Sequence, residues 1–131
     1  MECSCSISAG IDDFAEVISA KWITARKRHS CHECNRLILT GEEYYKEIAE
    51  YEGEITTHKT CRDCMSLRQS LCRDFYWSQI REMIEDAIEE CEGQIPEKCI
   101  AKLTPSAREW VCGLIEKAWE AEKVCRNFKQ Y

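Results

Sequence analysis

The stretch "HSCHECNRLILTGEEYYKEIAEYEGEITTHKTCRDC", from His29 to Cys64, decides how this chain folds. Two Cys-x-x-Cys pairs, Cys31/Cys34 and Cys61/Cys64, stand at its ends. After the first pair comes a glycine, Gly41, at the distance expected of a knuckle leading into a strand. "EYYKEIAEY" and "EITTHKT" follow, rich in Tyr, Ile and Thr and split by a two-residue Glu52-Gly53 turn, which is a hairpin signature. The second pair opens a helical pattern running through Leu67 and Leu71. The predicted order is knuckle, hairpin, helix.

A structural zinc site needs four soft ligands converging tetrahedrally. A knuckle supplies two sulfurs and turns its backbone N–H groups toward them. A Cys-x-x-Cys in the first turn of a helix supplies two more where the helix dipole favours negative charge. Cys31, Cys34, Cys61 and Cys64 therefore read as the ligands of one Zn2+ in a treble-clef-type module. Competing readings are a thioredoxin-like redox pair, which lacks the βαβ context it needs, four free thiols, and a His58-x-x-Cys61 half-site that displaces Cys64. The segment is poor in apolar bulk, so metal binding would supply its folding energy.

Outside this stretch the cysteine count remains high, at eleven in 131 residues. Cys3, Cys5 and Cys72, with His29, could form a second zinc site. Cys91, Cys99, Cys112 and Cys125 have the spacing of buried thiols on apolar helix faces. The opening "MECSCSISAGIDDF" has neither a basic start nor an apolar run, so no signal peptide is expected, and the chain is expected in a reducing cytoplasm. No run of apolar residues is long enough to span a membrane.

The fold class expected is α+β: the zinc module over 24–77, preceded by a lead-in over 1–30 and followed by a helical subdomain over 78–131. In the lead-in, Asp12 or Asp13 could cap a short helix carrying Phe14, Val17 and Ile18. Ser78 could cap a helix from about Gln79 to Cys91, ending at Gly93, with Ile80, Ile84, Ala87 and Cys91 on its apolar face. A short helix could start at Pro96. Thr104 followed by Pro105 is the strongest helix start in the chain. Beyond it Ala107, Val111, Leu114, Ala118, Ala121, Cys125 and Phe128 form a stripe spaced four and three. That stripe suits either an antiparallel hairpin with the helix of 79–91 or a homodimer.

The residues "TARKRHSCHECNRLILTGEEYY" and "TTHKTCRDCMSLRQSLC", within Thr24 to Cys72, resemble a group of small zinc-finger-like proteins of treble-clef or zinc-ribbon type encoded in bacteriophages and prophages. The resemblance implies zinc held by Cys31, Cys34, Cys61 and Cys64, a phage-like origin and a bacterial host cytoplasm. It implies no activity, and it does not extend past Cys72.

Function is bounded by charge. A net charge of −6 gives no overall cationic field, which points to a protein partner. The expectation is a zinc-stabilised interaction module, an accessory protein or inhibitor acting on a host transcription or defence complex, with the acidic residues 82–97 facing a basic channel. Trp77, Trp110 and Trp119 are either interface anchors or core filling, the latter favoured for Trp110. The alternative is a nucleic-acid-binding regulator using Lys21, Trp22, Arg26, Lys27 and Arg28. An enzyme is not expected: no nucleophile elbow, phosphate loop or His-Glu-x-x-His occurs, and four protein ligands leave zinc no open position.

Overall fold

The computed structural model describes residues 7–8 and 14–129, with side chains as far as residue 120. Five strands come first: β1 (Glu16–Thr24), β2 (His29–Ser30), β3 (Leu37–Ile38), β4 (Glu43–Tyr51) and β5 (Glu54–Cys61). Four helices follow: α1 (Arg62–Leu71), α2 (Ile80–Glu90), α3 (Glu97–Ala101) and α4 (Pro105–Lys129). The class is α+β, with β1, β4 and β5 in one antiparallel sheet in that spatial order and β2 and β3 in a separate two-stranded ribbon.

The hairpin forms where the sequence places it. Glu52 and Gly53 both take positive φ, 51° and 82°, which suits a tight two-residue turn, and register runs from Tyr51↔Glu54 back to Tyr44↔Cys61. The N-terminal helix expected over Phe14, Val17 and Ile18 does not form. Residues 16–24 instead pair along β4, from Glu16↔Glu50 to Thr24↔Glu43, with a bulge between Val17 and Ser19. Val17, Ile18, Trp22, Ile23 and Thr24 are good strand formers, and an unpaired edge of β4 outweighs a weak local helix pattern. The proposed caps Asp12 and Asp13 lie outside the described residues.

Side chains alternate between the two faces of this sheet. One face carries Tyr45 and Glu47 and is covered by α1, through Arg68. The other carries Tyr44 and Cys61. Beyond α1, the main core gathers Leu67 and Leu71, then Ile80, Ile84 and Ile88 of α2, then Leu103, Ala107, Val111 and Ile115, with Cys99 between. Of the expected apolar face of α2, Ile80, Ile84 and Cys91 are buried and Ala87 is half-buried. On α4 Ala107 and Val111 are buried and Leu114 and Ala118 half-buried, while Ala121, Cys125 and Phe128 lie outside the described side chains.

Two expectations about this helical region are corrected. Arg81, at the start of α2, lies over the Trp110 ring, and Gly93, just past its end, meets Trp119 and Ile115 farther along α4. The two helices thus run in the same sense, and no antiparallel hairpin forms, because α3 and its flanking turns carry the chain back between them. Cys91 and Cys99 are buried as expected, but each takes part in a disulfide rather than being a free thiol; Cys112 is a free, half-buried thiol. Among the described residues no helix is long and apolar enough to cross a membrane.

Candidate metal centre

Each of the two cysteine pairs is presented by a backbone device. In the first, the β2–β3 ribbon closes a turn in which Asn35 N–H donates to the Cys31 carbonyl and Cys31 N–H to the Arg36 carbonyl, both at 2.9 Å. Asn35 tolerates the left-handed φ of 62° that this needs. In the second, Cys61 ends β5 and is also the N-cap of α1, its sulfur accepting from Cys64 N–H at 3.5 Å. Gly41, φ 94°, turns the chain beneath Ala25, whose carbonyl accepts the Gly41 N–H at 2.8 Å, and so joins the end of β1 to this assembly.

The result is one cluster. The sulfurs of Cys31, Cys34, Cys61 and Cys64 all lie within 4.8 Å of one another, and the four thiols are free. A tetrahedral ZnS4 centre with bonds of about 2.3 Å has sulfurs about 3.8 Å apart, and the Cys34–Cys61 sulfur separation is 3.9 Å. The donors around the sulfurs suit thiolates: Glu33 and Cys61 N–H groups point at Cys31 Sγ at 3.4 and 3.3 Å, and Arg81 Nε–H at Cys64 Sγ at 3.3 Å. Such a cage could bind zinc. Around it Ala25, Ile38 and Tyr44 complete a small buried core, separate from that of the helices.

Crowding four sulfurs also sets their protonation. Hydrogen bonding from Cys61 and Cys64 holds the Cys31 thiol far below its usual range, while the same contacts push Cys61 up to about 12 and Cys64 well above its ordinary value. Negative charge is thereby favoured on Cys31 at the expense of Cys61 and Cys64. A divalent cation reverses this by compensating all the thiolates together, so binding releases protons.

The cluster is tied to every long helix. Glu33, inside the knuckle, accepts from Ser78 N–H at 2.6 Å and Ile80 N–H at 3.1 Å, and so caps the start of α2. Ser78, expected as that cap, instead takes φ 69° and leads into Gln79, which has no side-chain cap of its own. Arg81 reaches back from α2 to Cys64. Asp63, between the second pair, accepts from Thr104 Oγ1 at 2.6 Å, and Thr104 caps α4 by accepting from Ala107 N–H at 3.3 Å. Neither Glu33 nor Arg81 carries a local signal of these roles; a carboxylate between two knuckle cysteines is the only hint.

The chain matches no protein-family model, no curated protein and no solved structure.

Other candidate residues are placed as follows. His58 points to the opposite face of β5 from Cys61, stacked on Trp77 with centroids 4.0 Å apart, so it does not displace Cys64. Exposed His32 faces outward as expected, its Nδ1 accepting from Lys59 N–H at 3.2 Å. The second site is not assembled from its described members. His29 sits beside the cluster, 5.0 Å from the Tyr44 ring, whereas Cys72 packs at the far end of α1 against the helical core. Cys3 and Cys5 lie outside the described residues. The nucleic-acid set is divided: Trp22 packs edge-on to Tyr45 on the helix-covered face, Lys21 points the other way, and Arg26, Lys27 and Arg28 are exposed between β1 and β2. Trp110 is half-buried and Trp119 half-exposed.

Missed altogether is a buried ion pair. Glu47, 2% exposed, takes both guanidinium ends of Arg68 and the Trp77 indole N–H at 3.3 Å. The Arg68 guanidinium also stacks 4.0 Å over Phe75.

Proposed function

We propose that this chain is a zinc-stabilised interaction module of treble-clef type, a phage-type accessory protein that acts by occupying a host protein rather than by catalysis. The observation that carries the reading is the convergence of four cysteine sulfurs, from two Cys-x-x-Cys pairs, within 4.8 Å. Cys31, Cys34, Cys61 and Cys64 would hold the ion, and four protein ligands leave it no position for water or substrate. Its part is architectural: it fixes the end of the molecule from which α1, α2 and α4 all start.

A protein partner with a basic surface is favoured by the exposed acids of α2, Glu82, Glu85, Asp86, Glu89 and Glu90. The phage-type role rests on the resemblance of Thr24 to Cys72. Native mass spectrometry tests the metal: one zinc per chain is expected, and a compact metal-free chain with all four sulfurs open to alkylation would end the reading. Affinity capture from bacterial lysate tests the partner: a stoichiometric protein lost on Glu82→Gln, Glu85→Gln and Glu89→Gln supports it, and equal capture by the variant refutes it.

A further inference from the structure

The register of the sheet places three lysines in one line. Lys21 of β1 is directly opposite Lys46 of β4, and Lys46 is directly opposite Lys59 of β5. With strands about 4.8 Å apart, the row is about 10 Å wide. Lys21 is exposed and Lys46 and Lys59 are half-buried. None of the ion pairs among the described residues involves them. Lys59 Nζ lies 3.0 Å from His29 Nδ1, an imidazole nitrogen and not a carboxylate.

Like charges directly opposite each other in a sheet oppose its formation. Two such contacts in succession, Lys21–Lys46 and Lys46–Lys59, run against local electrostatics. A partner outside the chain that needs the row would account for it. The knuckle packs on the Tyr44–Cys61 end of this face, with His29 beside Lys59, while α1 lies on the other side of the sheet, with α2 and its acids beyond it. On the lysine face the acids Glu16 and Glu50 are paired two side-chain rows away. That is about 13 Å, beyond a Debye length of about 8 Å at physiological ionic strength. Lys27 adds its charge near His29, as do Lys46 and Lys59.

We propose that the sheet face bearing Lys21, Lys46 and Lys59 is a sequence-independent contact surface for the phosphate backbone of duplex nucleic acid. Two features select the duplex. The row is fixed to a rigid sheet, which suits a regular array of phosphates. The one aromatic side chain of β1, β4 or β5 on this face is Tyr44, 4% exposed, so the sheet itself offers unpaired bases no accessible ring, and the only ring beside the row, the His29 imidazole, is half-buried against Tyr44 and Lys59. Trp22 and Tyr45 are on the opposite face. Lysine ammonium groups contact phosphates without reading base edges, so the contact positions the protein without specifying sequence. This goes beyond the protein-partner reading and needs the metal only to keep the sheet and knuckle folded.

Fluorescence anisotropy with the full zinc-loaded chain and two labelled duplexes of unrelated sequence, over a range of salt, is the test. Equal binding of both is expected, with log K falling against log salt with a slope of about −2.7 for three phosphates. Lys21→Gln with Lys46→Gln should weaken binding at least tenfold and flatten that slope by about 2 units. The same variant should keep one zinc per chain and an unfolding midpoint no lower than the parent's. Lys21→Gln alone, on the exposed edge strand, should flatten the slope by about 1 and serves if the double variant fails to fold.

Four results would overturn the proposal. They are no duplex binding at about 50 mM salt, binding unchanged by Lys21→Gln, single strands bound as tightly as duplex, and polyglutamate competing as well as unlabelled duplex. Loss of zinc on Lys21→Gln would instead make the row a counter-charge for the tetrathiolate, and would equally overturn it.

Discussion

Arg81 donates its Nε–H to the Cys64 sulfur at 3.3 Å, and the same guanidinium lies 4.6 Å over the Trp110 ring. One side chain of α2 therefore connects a sulfur of the candidate metal centre to α4. Removing a hydrogen-bonding neighbour of a ligand typically lowers metal affinity tenfold to a hundredfold. Arg81→Met is expected to do so, measured by competition with a chromophoric chelator. Arg81→Lys keeps the charge but not the planar contact with Trp110, and should fall between the two.

Metal removal should reach farther than the knuckle. Structural zinc supplies about 10–16 kcal/mol of apparent binding energy, against about 5–15 kcal/mol for the whole stability of an ordinary domain. Glu33 and Arg81 also tie α2 to the cluster. Chelation at neutral pH is expected to cause a cooperative loss of far-ultraviolet helical signal, and acidification the same loss, because protons compete for the thiolates. A chain that keeps its helical signal after the metal has gone would contradict this.

Glu47 is the buried partner of Arg68, and truncating one member of such a pair leaves the other charge uncompensated. Glu47→Ala should cost about 3–5 kcal/mol in urea unfolding. Because Trp77 donates to the same carboxylate, its fluorescence should shift in the native state as well.

Two glycines with similar backbone angles should respond differently to alanine. Gly41, φ 94°, has open space where a Cβ would go, so Gly41→Ala should cost only the backbone strain, about 1–2 kcal/mol. Gly93, φ 78°, would place its Cβ 3.1 Å from the Ile115 carbonyl oxygen and 3.0 Å from Trp119 Nε1. Gly93→Ala adds a clash with helix backbone and should cost about 2–4 kcal/mol in thermal unfolding.

Burial pushes the Cys72 thiol up to about 12. Its thiolate fraction at pH 8 is then about a thousandfold below that of an ordinary cysteine with a pKa of about 8.5. Alkylation of the native chain at pH 8 should leave Cys72 unmodified until it unfolds, as read by peptide mass mapping.

The sequence alone determined the parts whose causes are local. A two-residue turn suited to positive φ placed the hairpin at Glu52-Gly53, and Thr104-Pro105 placed the start of α4, because each signal acts within a few residues of itself. The cysteine spacing named the four sulfurs before any coordinates, since a knuckle and a helix N-terminus each orient a pair without help from the rest of the chain. Tertiary structure decided what depends on distant segments. Residues 16–24 became a strand because β4 offered them an edge, α2 and α4 came to run in the same sense because α3 carries the chain back, and Glu33 replaced Ser78 as a cap because the knuckle folds against α2. The line of lysines belongs here too: Lys21, Lys46 and Lys59 are far apart in sequence, and only strand register, fixed by burial of the opposite face, brings them side by side.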